Sequence, residues 1–187
     1  MPNLYVIGGA NGSGKTTVAL NLLPFLSVFE YINADAIAAG LSPLNPESMA
    51  IQAGRLMLER LRIVANSTID FAFETTLAAR TYVRFLQDCK AKGYNINLIY
   101  FWLQSPDLAV ERVAMRVSCG GHSIPENVIR RRYERGRRNL SELYLPLCDS
   151  WIIYDNSEQF LKLVADCDIG QNPLIYEQQT WNQIIRI

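Results

Sequence analysis

Gly9-Ala10-Asn11-Gly12-Ser13-Gly14-Lys15-Thr16 sets glycines, a lysine and a hydroxyl at the spacing G-x-x-x-x-G-K-[ST], with Thr17 following. That spacing suits one chemistry, the cradling of a polyphosphate. Glycines let successive backbone N–H groups converge on phosphate oxygens without side chains in the way. Lys15 is placed to reach the β- and γ-phosphates, the Thr16 hydroxyl to ligate Mg²⁺, and the helix that follows turns its positive dipole end toward the anion. The cofactors implied are ATP and Mg²⁺. The apolar run Tyr5-Val6-Ile7 before the loop and the periodic segment after it supply the strand and helix that the motif requires.

Further polar candidates follow from the rule that ligands of a parallel sheet sit beyond the carboxyl ends of its strands. Asp35 ends a second strand around Tyr31-Ile32-Asn33, and Glu74-Thr75-Thr76 ends a third. A phosphoryl transferase needs a group that takes the proton of an attacking hydroxyl, together with charge neutralisation around the moving group. Asp35 is the candidate base, although an aspartate before Ala36-Ile37 fits a helix N-cap equally well. Glu74 is read as holding a Mg²⁺ water or a substrate hydroxyl, against a simpler pairing with Arg80. The strand-four segment Ile99-Tyr100-Phe101-Trp102-Leu103 is followed by Gln104, so it lacks the carboxylate of motor-type ATPases, and the metal falls to Thr16 and waters with Asp35 or Glu74 behind them.

Positive charge is concentrated in one stretch. Eight arginines lie between Arg112 and Arg138, against Glu126 and Glu134 within the same helix. Ser105-Pro106-Asp107 is a helix start, Ser118 to Pro125 is loop, and Pro125 opens a second helix. On that helix Ile129, Tyr133, Gly136, Leu140 and Leu143 form an apolar seam, with Arg131, Arg135 and Arg138 largely opposite. Together with Arg112 and Arg116 they describe a helical hairpin, about residues 112–138, that can close as a lid over a triphosphate. The plain alternative is an exposed basic helix with pairs such as Arg130 and Glu134. His122, the single histidine, reads as a lid-loop residue.

These groups need a scaffold of alternating apolar strands and amphipathic helices, which is the pattern of an α/β fold with helices on both faces of a parallel sheet. The strands are expected at Leu4–Ile7, Tyr31–Asn33, Thr68–Phe73, Ile96–Leu103 and Trp151–Tyr154, in the order 2-3-1-4-5, with strand four central as the longest apolar run. Helices are expected from Lys15 until Pro24 stops the first, from Glu47 to Ala65 with Ile51, Gly54, Met57, Leu58 and Leu61 on one side, and from Arg80 to Lys92 with Gly93 closing it. A short strand near Leu161–Val164 and a helix near Glu177–Ile185 end the chain.

The 187 residues fit one domain, residues 1–187. Eighteen basic and eighteen acidic residues cancel, which argues against nucleic acid as a partner. No apolar run approaches the length of a membrane span. Cys89, Cys119, Cys148 and Cys167 have no metal spacing, and the chain opens on a core strand, so reduced thiols in a cytoplasmic protein are expected. The tryptophans and most tyrosines fall in or near strands, as core rather than as base-stacking platforms.

Taken together, GGANGSGKTT, the tripeptide Asn33-Ala34-Asp35, the segment FETTLAAR and the stretch RVSCGGHSIPENVIRRRYERGRRNL resemble the zeta-toxin family of P-loop kinases over roughly residues 4 to 157. The resemblance implies ATP-dependent phosphorylation of a hydroxyl on a small metabolite, with UDP-N-acetylglucosamine the leading candidate, and a possible antitoxin partner. Lys15 then matches the family's phosphate-loop lysine, Asp35 its base, and Glu74 its glutamate after strand three, with Thr75, Thr76 and Arg80 beside the acceptor and Arg112 and Arg116 stabilising the developing charge. A kinase for another sugar, nucleoside or antibiotic, and a nucleotide-dependent module acting through a protein partner, remain as alternatives.

Overall fold

The computed structural model describes residues 1–185. Seven strands form one sheet: β1 (Asn3–Gly9), β2 (Glu30–Ile32), β3 (Phe71–Thr75), β4 (Asn95–Trp102), β5 (Ser150–Asp155), β6 (Lys162–Cys167) and β7 (Leu174–Ile175). Their order is β2-β3-β1-β4-β5-β6-β7. The first five strands are parallel and in the expected order, and β6 and β7 extend the sheet antiparallel beyond β5. β4 thus has three strands on either side. β7, only two residues long, has no period that a sequence reading could detect.

Alternation along β4 divides the core. Ile96, Leu98, Tyr100 and Trp102 face one side with Leu4, Val6, Phe71 and Phe73, while Ile99 and Phe101 face the other with Ile7 and Ala72. The first face is covered by α3 (Ala50–Ala65), α4 (Thr81–Ala91) and, near the chain end, α7 (Gln178–Ile185); the second is covered by α1 (Lys15–Phe25). A third cluster joins Ala10 and Leu103 to Ala109 and Val113 of α5 (Pro106–Ser118) and to Ile129 and Tyr133 of α6 (Glu126–Asn139). This cluster fixes the α5–α6 hairpin over the carboxyl ends of the strands, where Tyr133 donates to the Leu103 carbonyl at 2.5 Å.

Several local expectations shift. Pro24 lies inside α1, which runs one residue further to Phe25. A proline in the final turn forfeits one N–H but need not stop the helix at once. A short helix, α2 (Ala34–Leu41), follows β2, and a 3₁₀ turn at Pro46–Met49 precedes α3. Along α3 the buried residues are Ala53, Met57, Leu61, Val64 and Ala65, and Ile51 is exposed. β3 begins at Phe71, after a left-handed residue at Thr68 with φ 52°, and runs to Thr75, so Glu74 and Thr75 are strand residues. The predicted ends at Ser105-Pro106 and Gly93 stand: Ser105 accepts from the Leu108 N–H, and Gly93 has φ 87°.

Candidate active site

Register brings the chemistry together. β1 and β3 pair Ile7 with Glu74 and Gly8 with Thr75, so the Glu74 carboxylate stands beside the start of the Gly9–Thr16 loop. Gly14, at φ 83°, is the N-cap of α1 and offers no side-chain cap, which leaves the first-turn N–H groups of the helix without an internal partner. The Asn156 amide donates to the Ser13 carbonyl at 2.9 Å and braces the loop from behind β5. The Asn11 Oδ1 and Ser13 Oγ atoms are buried within the loop and have no hydrogen-bond partner. Orphaned buried polar atoms are costly, and a loop built around them with free helix N–H groups fits a polyphosphate.

Lys15 is only 5% exposed. Its ammonium donates to the Ala10 carbonyl at 2.7 Å and lies 3.7 Å from Glu74 Oε1. Burial pushes its pKa below the ordinary lysine value, with Arg116 acting in the same sense and Glu74 and Asp35 opposing. Glu74 Oε2 accepts from the Thr16 hydroxyl at 2.7 Å, the Tyr31 hydroxyl at 2.5 Å and the Asn33 amide at 3.0 Å. Burial and the Glu74 carboxylate raise the Tyr31 pKa, so Tyr31 stays a donor. Glu74 is therefore engaged by the phosphate loop and β2, and the simpler pairing with Arg80 is corrected. A threonine hydroxyl backed by a carboxylate also fits a hard divalent cation such as Mg²⁺.

The alternative role for Asp35 is corrected as well. The cap of α2 is Asn33, whose Oδ1 accepts from the Asp35 and Ala36 N–H groups at 2.8 and 3.3 Å. Asp35 is thus the second residue of the helix, and its side chain is free of capping and 48% exposed. It lies where two cavities meet. One, of about 380 Å³, is lined by Asn11, Lys15, Asp35, Glu74, Thr75, Thr76 and Tyr82; the other, of about 400 Å³, is lined by Glu47, Ala50, His122, Ile124 and Val128. Both also touch Ala34, Asp35, Ala50, Arg131 and Arg132, and Arg135 joins the first.

Among the arginines, the hairpin separates two groups. Of the arginines expected in the lid, Arg135 faces the first cavity and Arg131 faces both, as does Arg132, which lay outside the expected set. Arg112 donates to the Ser157 carbonyl at 3.1 Å on the far side of the phosphate loop, and Arg116 donates to the His122 carbonyl at 3.1 Å. Neither lines these cavities. Arg130 pairs with Glu126 and Asp107 instead of Glu134. Arg138 is exposed, as is Arg80 at the head of α4, and neither is gathered with the others. His122, read as an ordinary loop residue, stands with its Nε2 3.4 Å from Asp35 Oδ2. The G-G-H run was the visible signal, but its target on α2 was not.

The C-terminal half of α6 is anchored to the loop after β3. Gly136 packs so closely that an added Cβ would stand 2.3 Å from the Thr76 carbonyl oxygen. Asn139 donates to the Leu77 carbonyl at 2.7 Å, and Tyr144, in the π turn that ends α6, donates to the Ala79 carbonyl at 2.8 Å. These contacts hold the arginine-bearing face at a fixed height above Thr75 and Thr76.

Residues 30–162 match the family described as zeta toxin. The chain belongs to the zeta-toxin family. It is thereby one of the P-loop phosphotransferases. An uncharacterized protein of Haemophilus influenzae is 31% identical over 125 residues, covering 67% of this chain and 88% of that one. Among solved structures, the complex of AvrRxo1-ORF1 and ORF2 with ATP superposes with a TM-score of 0.77 at 15% identity, covering 99% of this chain. This chain spans 64% of that one. The PezAT toxin-antitoxin system of Streptococcus pneumoniae superposes with a TM-score of 0.61 at 18% identity, covering 86% of this chain and 72% of that one. At these identities the two structures establish the shared fold.

Among the described residues no helix is long and apolar enough to cross a membrane.

Proposed function

We propose that the chain is an ATP-dependent kinase that transfers the γ-phosphoryl group to a hydroxyl of a small anionic metabolite. The observation that carries this reading is the position of Asp35, an uncapped carboxylate at the meeting point of one cavity that contains Lys15 and another under the α5–α6 hairpin. The backbone of Gly9–Gly14 and the first turn of α1 bind the phosphates, and Lys15 leaves the Ala10 carbonyl for the transferring group. Thr16, with Glu74 behind it, would hold Mg²⁺, which supplies charge neutralisation along the polyphosphate. The acceptor O–H bond breaks as its oxygen bonds to phosphorus. The proton passes to Asp35, and the bond between phosphorus and the bridging oxygen breaks with its electron pair leaving on ADP. Such transfer depends on positioning and electrostatics, which the arrangement supplies.

Arg131, Arg132 and Arg135 argue for an acceptor with its own negative charge, since three guanidinium groups facing one cavity favour a phosphate or carboxylate. UDP-N-acetylglucosamine meets that requirement and is the first acceptor to try. Thr75 and Thr76 border the same cavity and offer hydrogen bonds to it, whereas Arg80 is dropped from the acceptor set. We read residues 1–187 as one kinase domain with its lid at about 112–138, acting in the cytoplasm. The likeness to PezAT supports an antitoxin as a possible partner of this chain. The test is transfer from γ-labelled ATP with Mg²⁺ to UDP-N-acetylglucosamine and to a panel of sugar phosphates, nucleosides and aminoglycosides. A labelled product with any of them supports a kinase. Tight ATP binding with no product across the panel refutes it in favour of a nucleotide-dependent binding module.

A further inference from the structure

His122 is brought onto Asp35 by a specific device at the end of α5. Gly120, at φ 87°, closes the helix with its N–H on the Val117 carbonyl, and Gly121 donates to the Arg116 carbonyl at 2.9 Å. A Cβ at Gly121 would lie 2.6 Å from Arg116 Cγ and 2.9 Å from its carbonyl oxygen, so only glycine lets the chain fold back across Arg116. The turn delivers the imidazole to a place where its Nε2 has two competing neighbours. Asp35 Oδ2 is 3.4 Å away, and the Arg116 Nη2 is 3.3 Å away. One ring nitrogen can donate to the carboxylate or accept from the guanidinium, but not both. Arg116 also holds the His122 carbonyl at 3.1 Å, and its charge acts on the Lys15 ammonium. Glu47, Arg131 and Arg132 are the other charged groups lining the cavity on which the ring borders.

We propose that His122 is a positioning residue for Asp35, and that Arg116 couples its hold on the carboxylate to the arrival of nucleotide, so that the orientation of Asp35 is set by the bound ATP. The inference rests on the reading of Asp35 as the acceptor-side base. Arg116 pins the Gly120-Gly121-His122 turn through the His122 carbonyl, which keeps the ring against Asp35. A triphosphate on the Lys15 loop offers Arg116 a stronger, doubly charged acceptor. As Arg116 turns toward it, the carbonyl is released, the turn loosens about Gly120, and the ring frees the Asp35 carboxylate to turn toward the acceptor. The consequence is that nucleotide binding, rather than acceptor binding, sets the orientation of Asp35.

His122 is the only histidine of the 187 residues, so its ring nitrogens can be followed in the intact chain without ambiguity. The experiment is ¹⁵N NMR of ring-labelled histidine in the native chain, Asp35→Asn and Arg116→Gln, each free and saturated with Mg²⁺ and a non-hydrolysable ATP analogue. Binding of the analogue is confirmed by calorimetry. The proposal expects the Nε2 resonance of the free native protein to move in Asp35→Asn, to move again when the analogue binds the native protein, and to lose that second response in Arg116→Gln. A resonance unmoved by Asp35→Asn shows that the contact is absent in solution and overturns the proposal. So does a bound analogue that leaves the ring unmoved, or that moves it equally in Arg116→Gln. A native protein that phosphorylates no acceptor while its ring responds as stated refutes the kinase reading and leaves the coupling standing.

Discussion

Replacing Gly136 by alanine adds one methyl group at the contact that sets the height of α6 over the acceptor side. In an isolated helix the change is favourable, by about 0.8–1 kcal/mol. Here the new Cβ would stand 2.3 Å from the Thr76 carbonyl oxygen, and α6 must retreat by about 1 Å before that contact becomes ordinary. Overpacking of this kind costs about 1–3 kcal/mol. The retreat also stretches the Asn139 and Tyr144 hydrogen bonds to the Leu77 and Ala79 carbonyls, each contributing about 1 kcal/mol. The net expectation is a loss of about 1–4 kcal/mol, read as a fall in melting temperature of about 2–4 °C for each kcal/mol in a chain of this size. The same retreat lifts Arg132 and Arg135 from Thr75 and Thr76, and a misplacement near 1 Å lowers transfer by about a hundredfold while ATP binding on the other side of the site persists. Gly40→Ala on α2 is the control, because nothing lies within 4 Å of a Cβ there, and it should raise the melting temperature by a few degrees. Thermal unfolding and nucleotide calorimetry of both variants decide the matter. A Gly136→Ala protein as stable and as active as the native one would refute the reasoning.

Other consequences can be checked in parallel. Glu74→Gln weakens the carboxylate behind Thr16, so the Mg²⁺ concentration for half-maximal rate should rise by about 10- to 100-fold in a metal titration, with metal-free nucleotide binding little changed. Arg132→Gln removes a charge bordering both cavities, and acceptor KM should rise by about 10- to 100-fold in steady-state kinetics, with ATP KM held. Burial pushes the Cys89 thiol up to about 11 and the Cys148 thiol up to about 12, which lowers their thiolate fraction at pH 8. Mass spectrometry after brief maleimide treatment should therefore find label first on the exposed Cys119, with Cys89 and Cys148 reacting only when the chain is unfolded.

Much of the site could be read from short-range patterns. The loop spacing, the carboxyl-terminal ends of β2 and β3, and the apolar seam of α6 are local patterns, and the first two bring Lys15, Asp35 and Glu74 around one cavity. What escaped was decided by which partners compete for a group once the chain is folded. Asn33 takes the cap of α2 and also donates to Glu74, so a composition that fitted Asp35 as a cap was overruled by a neighbour two residues earlier. Arg132 lies three residues after Ile129 and four before Gly136, on the flank of the seam, and lines both cavities while Arg138 is left exposed. Arg112 and Arg116 leave one helix four residues apart, yet one holds the loop after β5 and the other holds the turn bearing His122, which their spacing alone does not show. β6 was legible as the short strand expected near Leu161–Val164, whereas β7 spans two residues, too few for a period to show.

The central claim is that Asp35 takes the acceptor's proton while the Gly9–Thr16 loop holds the donor. The most direct measurement is single-turnover phosphoryl transfer from γ-labelled ATP in native protein and Asp35→Asn, with nucleotide affinity measured on the same samples. The account predicts unchanged nucleotide affinity and a transfer rate lower by about 10²- to 10⁴-fold in the variant. A variant that transfers at the native rate, or that loses nucleotide binding together with transfer, would contradict it.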